Sequence, residues 1–164
     1  MGKINMTEFK RKPFNLRSFL ENDARAKKAV STYLMSKGYA VLGSPGNNPY
    51  TADILAAKKD MTEQVMKYQW HEVTMVKGWK DSFPNEEYIL MPTKKRQYVE
   101  DAKQDPKDPR VFFWSIKNDE TEAYVFTGET MLEAPVVVEH FHNSPPQGEH
   151  FSHVPLSCAK LIKL

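Results

Sequence analysis

Asp53 and Glu72 are the residues of this sequence best placed to do chemistry. Asp53 opens a short apolar run, Asp53-Ile54-Leu55-Ala56-Ala57, and Glu72 lies inside Tyr68-Gln69-Trp70-His71-Glu72-Val73-Thr74-Met75-Val76. A carboxylate among aromatic and β-branched residues costs desolvation free energy unless a positive group neutralises it. Two carboxylates on neighbouring strands also repel, unless a divalent cation lies between them. Hard oxygen donors of this kind suit Mg²⁺ or Mn²⁺ in a partly hydrated shell. The chemistry suggested is that of a hard-metal site.

Several elements must position this pair. Apolar spacing predicts a helix from about Leu20 to Lys37, with Ala26, Ala29, Val30, Tyr33 and Leu34 on one face and Gly38 as its stop. Asp23 edges that face, whereas Glu21 points elsewhere. Tyr39–Leu42 reads as a first strand, and Gly43–Pro49 as a turn-rich loop. The Asp53 run is the second strand, Lys58-Lys59-Asp60 a hairpin turn, and the Glu72 run the third strand. An antiparallel hairpin would set Asp53 and Glu72 side by side. Further strands are expected at Tyr88–Met91, Val111–Ile116, Ala123–Phe126 and Val136–Val138, with a second helix over Lys94–Lys103. A loop runs through Pro145-Pro146, and the tail Val154–Leu164 reads as a short strand or helix. This order predicts an α/β fold, a mixed β-sheet flanked by helices.

Composition frames the same picture. The 164 residues suit one domain, taken as 19–164 behind a basic arm over 1–18 that contains Lys10-Arg11-Lys12. No apolar stretch is long enough to span a bilayer, and Met1–Asn5 lacks an apolar signal-peptide core. One cysteine, Cys158, excludes an internal disulfide and fits a cytoplasmic setting. The net charge of +2 conceals an asymmetry: residues 1–110 hold 20 Lys/Arg against 14 Asp/Glu, and residues 111–164 hold 3 against 7. Such a basic front suggests a face for a polyanion. No Gly-rich phosphate loop follows a strand, and no serine or cysteine nucleophile has a matched base.

The arrangement resembles the PD-(D/E)xK, or restriction-endonuclease-like, nuclease superfamily. Pro49-Tyr50-Thr51-Ala52-Asp53 stands in for its Pro-Asp element, Glu72-Val73-Thr74 for its Glu-x-Lys element, and Asp23, with Glu21 second, for its helix acid. Gly78-Trp79-Lys80, Phe83-Pro84 and Pro92-Thr93-Lys94-Lys95-Arg96 are similar to small phage and viral members. The resemblance covers about residues 20–126 and implies Mg²⁺- or Mn²⁺-dependent hydrolysis of DNA phosphodiester bonds inside a host cell. It implies Asp53 and Glu72 as metal ligands and catalytic groups, with Asp23 as the outer carboxylate. Relatives that cut both strands are commonly homodimers.

Thr74 occupies the place of the superfamily's lysine. Lys77 is taken as the displaced lysine, although strand alternation puts it on the opposite face unless the strand bulges. Lys94 and Lys95 are alternatives. A second reading is a catalytically inactive module on the same fold that binds nucleic acid or protein.

Lys94-Lys95-Arg96 at a helix start opposes the helix dipole, an arrangement that phosphate would relieve. Trp79, flanked by Lys77 and Lys80, could stack on an unpaired base. The rival metal site lies in the last third, where Glu139, His140, His142, His150 and His153 gather and His140 and His142 share a strand face.

Overall fold

A computed structural model describes residues 16–43, 52–84, 87–140 and 148–164. Residues 1–15 of the expected arm, most of the 43–49 loop, Pro49-Tyr50-Thr51, His142 and the Pro145-Pro146 loop lie outside the described residues. The fold is mixed α/β. Helix α1 (Leu16–Ser36) begins four residues earlier than its apolar pattern requires. It buries Ala26, Val30 and Leu34 and ends at Gly38, whose φ of 88° lets Tyr39 N–H reach back to the Leu34 carbonyl.

Strands β1 (Ala40–Val41), β2 (Ile54–Asp60), β3 (Val65–Val76), β5 (Arg110–Lys117), β6 (Glu122–Thr127) and β9 (Lys160–Lys163) form one six-stranded sheet in the order β1-β2-β3-β5-β6-β9. The β2–β3 hairpin is antiparallel as expected, but its turn is Met61–Gln64, so Lys58-Lys59-Asp60 is strand. The Asp60 carboxylate accepts from the Thr62 and Glu63 amides and shapes that turn. Strand β3 pairs with β5 in parallel, which requires a crossover. The crossover carries β4 (Tyr88–Pro92), one 3₁₀ turn (Thr93–Lys95) and helix α2 (Arg96–Gln104).

A second, three-stranded sheet has the order β4-β8-β7, with β7 at Val136–Glu139 and β8 at Glu149–Pro155. The tail resolves into the end of β8, a 3₁₀ turn and β9, not a single strand or helix. Helix α3 (Gly128–Glu133) had no counterpart in the sequence reading.

Alternation along the central strands divides the core into two layers. Ile54, Val73, Trp114 and Ile116 pack on α1. Trp70, Val111 and Phe113 face α2, α3 and the small sheet, where Val99, Met131, Ile89 and Val154 complete the layer. No helix among the described residues is long and apolar enough to cross a membrane.

Candidate active site

The β2–β3 register pairs Ile54 with His71, so the next step of the hairpin brings Asp53 beside Glu72. Asp53 lies just before β2, and its side chain continues the ladder: Oδ2 accepts from the Val73 amide at 3.0 Å. Glu72 lies mid-strand in β3, opposite Phe113 of β5, and is only 6 % exposed. The Asp53 and Glu72 side chains share a hydrogen bond, and the Tyr98 hydroxyl donates to Glu72.

Lys95 closes this group from the 3₁₀ turn. Its ammonium lies 3.2 Å from Glu72 Oε2 and donates to Thr74 Oγ1 at 3.2 Å. Burial holds the Glu72 pKa above the usual carboxylate range, the Asp53 carboxyl adds to that, and Lys95 opposes it. Burial and the neighbouring carboxyl thus outweigh the Lys95 ammonium and favour the protonated form of Glu72. Tyr98 is raised for related reasons, burial first and then the charges of Glu72 and Asp53.

A second ammonium approaches from α1. Lys27 Nζ is 3.0 Å from Asp23 Oδ2 and 3.4 Å from Asp53 Oδ1. Partial burial works against its charge, but Asp23 and Asp53 outweigh it and raise the Lys27 pKa. Asp23 thus reaches Asp53 through Lys27. Asp23, Asp53, Glu72, Thr74, Lys77, Lys94, Lys95 and Tyr98 all line one open cleft of about 420 Å³. Glu21 pairs instead with Arg17 on the exposed helix surface.

The expected site residues divide in three. Asp23, Asp53 and Glu72 come together, with Lys77 and Lys94 exposed at the cleft wall and Lys80 exposed beyond it. Trp79 requires correction: it is 3 % exposed, stacked on Tyr124 and edge-on to Phe83, so no face is open to a base. Arg96 does too. Its guanidinium donates to Ser152 Oγ at 2.9 Å and to the Ala134 carbonyl at 2.7 Å, fastening α2 to β8 and the end of α3. Lys27 and Tyr98 escaped the sequence reading. Their signals were helical spacings: Lys27 is four residues after Asp23, and Tyr98 three after Lys95.

Among the described residues, no group of three or more His, Cys, Asp or Glu side chains could hold an ion. His153 lies against the Tyr88 ring, and His150 is exposed on β8. At the cleft, the donor set is therefore two carboxylates and Thr74 Oγ1. That set fits Mg²⁺, which commonly takes one or two carboxylates and keeps waters or substrate phosphate for its other positions. No protein-family model matches this sequence, and no curated protein matches it.

Proposed function

We propose that the cleft hydrolyses phosphodiester bonds in DNA with Mg²⁺ or Mn²⁺, as a nuclease of the PD-(D/E)xK type. One observation carries this reading: two mostly buried carboxyls from adjacent strands share a hydrogen bond in the cleft, with the Lys95 ammonium on both Glu72 and Thr74. Asp53 and Glu72 would hold the cation. When bound, it supplies polarisation of the phosphate and acidification of a coordinated water.

The remaining roles belong to the chain. Lys95 reaches the Thr74 hydroxyl from the crossover, so its ammonium would supply the charge that the Glu-x-Lys lysine carries. There it orients the attacking water and offsets charge developing at phosphorus. Lys77, exposed on the cleft wall, is the alternative source of that charge. Lys27 holds Asp23 and Asp53 in register, and exposed Lys94 and Lys80 provide phosphate contacts.

A second reading has its own observation. Lys27 and Lys95 already pair with Asp53 and Glu72, so the cleft could be a closed ion-pair network within a binding module. Cleavage of labelled single-stranded, duplex and branched DNA decides between them. The nuclease reading expects metal-dependent cleavage that falls about 100-fold or more in Asp53→Ala and Glu72→Ala. Salt-sensitive binding without cleavage of any substrate would favour the binding module.

A further inference from the structure

A cation-rich surface lies away from the carboxylate cleft. It surrounds the start of β5, the β2–β3 hairpin and the end of α1. Two cavities of about 500 Å³ each adjoin there and share Tyr39 and Gln69. The first is walled by Tyr33, Tyr39, Phe112, Lys37, Lys58 and Lys160. The second is bounded by Tyr68, Lys67, Lys107 and Arg110.

Every cation–aromatic contact among the described residues falls on this surface. Lys37 lies 5.5 Å from the Tyr33 ring centroid, Lys58 5.2 Å from Tyr39, Lys107 4.8 Å from Tyr68, and Arg110 5.2 Å from Phe112. Among the described residues, no carboxylate forms an ion pair with Lys37, Lys58, Lys107, Arg110 or Lys160. Lys67 differs, because Glu63 holds it at 2.6 Å. Asp108 is the one acidic residue in the lining of the two cavities.

This surface also has a fixed polar floor. Trp114 Nε1 donates to His71 Nδ1 at 2.8 Å, which leaves the ring proton on Nε2 facing Gln69 Oε1 at 3.0 Å. Gln69 Nε2 in turn donates to the Tyr39 hydroxyl at 3.3 Å. The chain of bonds sets the Tyr39 ring between the two cavities. Uncompensated cations repel one another, so five on one face favour a polyanionic partner. Aromatic rings interleaved with them favour one that carries flat, unpaired bases, because each base can stack while its phosphate meets a cation.

We propose that this face binds an unpaired strand of nucleic acid, as a second interface separate from the carboxylate cleft. Gln69 and Glu72 are three residues apart on β3, so their side chains point to opposite faces of the sheet and lie roughly 10 Å apart along the strand. Binding at this face needs no cleavage chemistry, whether or not the cleft is catalytic.

The test is anisotropy of labelled oligo-dT and of a duplex of equal length with the full chain in EDTA, so that no metal-dependent step intervenes. Oligo-dT should bind more tightly than the duplex. Lys107→Gln/Arg110→Gln should weaken oligo-dT binding about tenfold and flatten its logarithmic salt slope by about 1.4. Tyr68→Ala should weaken oligo-dT about tenfold but leave heparin, a polyanion without bases, unchanged, and Tyr68→Phe should restore binding. Unchanged affinity in the charge variant overturns the proposal. So does a Tyr68→Ala chain that keeps its oligo-dT affinity, because the face would then be only a polyanion patch.

Discussion

At the scale of single residues, the account turns on which lysine serves the carboxylates. Asp53 and Glu72 were legible because buried acids in apolar runs are physically conspicuous, and a hairpin was enough to pair them. Lys95 was named only beside Lys94 as an alternative to Lys77, because its approach depends on how the crossover through β4 lays a 3₁₀ turn against β3. That is a tertiary fact with no local signal. The expectation is specific: Lys95→Ala should slow cleavage about 100-fold with the fold intact, while Lys77→Ala should stay within about threefold. Adding Thr74→Lys to the Lys95→Ala chain should recover part of the loss, since a lysine would then issue from β3 itself. Single-turnover rates of the four proteins check this. A large loss in Lys77→Ala with none in Lys95→Ala would return the role to Lys77.

Among the elements, the strands with uniform apolar or alternating runs were found close to their true positions. The misses have physical causes. Strand β8, Glu149–Pro155, carries two histidines and reads as polar, yet Phe151, Ser152 and Val154 are buried by pairing with β4 and β7. Helix α3 opens on Gly128, which ordinarily argues against a helix. The structure explains the glycine by close approach: an added Cβ would meet Val99 side-chain atoms at 3.0 and 3.1 Å and Val111 Cβ at 3.3 Å. Gly128→Ala should therefore destabilise the protein by about 1–3 kcal/mol despite alanine's better helix propensity. Urea unfolding measures it, and a neutral or stabilising result would mean that α2 and β5 yield freely. Arg96 belongs to the same scale. Three adjacent cations at the start of α2 suggested phosphate, but one of them holds α2 to β8.

For the whole molecule, the basic front of the sequence becomes a surface only once the chain is folded. Lys160, from the acidic last third, joins Lys37, Lys58, Lys107 and Arg110 there. The two sides of the central sheet also carry opposite pH liabilities. Burial depresses the His71 pKa to about 3, and the Trp114 N–H already occupies the Nδ1 lone pair that a second proton would need. That contribution to stability is full above about 6.5 and is lost as pH falls toward 3. Glu72 has the opposite sign. Its raised pKa gives stability that is full below about 4.5 and lost as pH rises above that value. In EDTA, melting temperature should therefore show a broad maximum between about pH 4.5 and 6.5. Glu72→Gln should remove the alkaline decline and keep the acid one. An alkaline decline of equal size in Glu72→Gln would place its source elsewhere.

The central claim is that Asp53 and Glu72 together hold a divalent cation. The most direct measurement is Mn²⁺ titration followed by electron paramagnetic resonance, with the parent chain beside Asp53→Asn and Glu72→Gln. The account predicts Mn²⁺ binding that Mg²⁺ displaces, that strengthens as pH rises and Glu72 loses its proton, and that either substitution abolishes. Mn²⁺ that stays free in the parent, or binds equally well in both variants, would contradict it and leave the carboxylates to Lys27 and Lys95 alone.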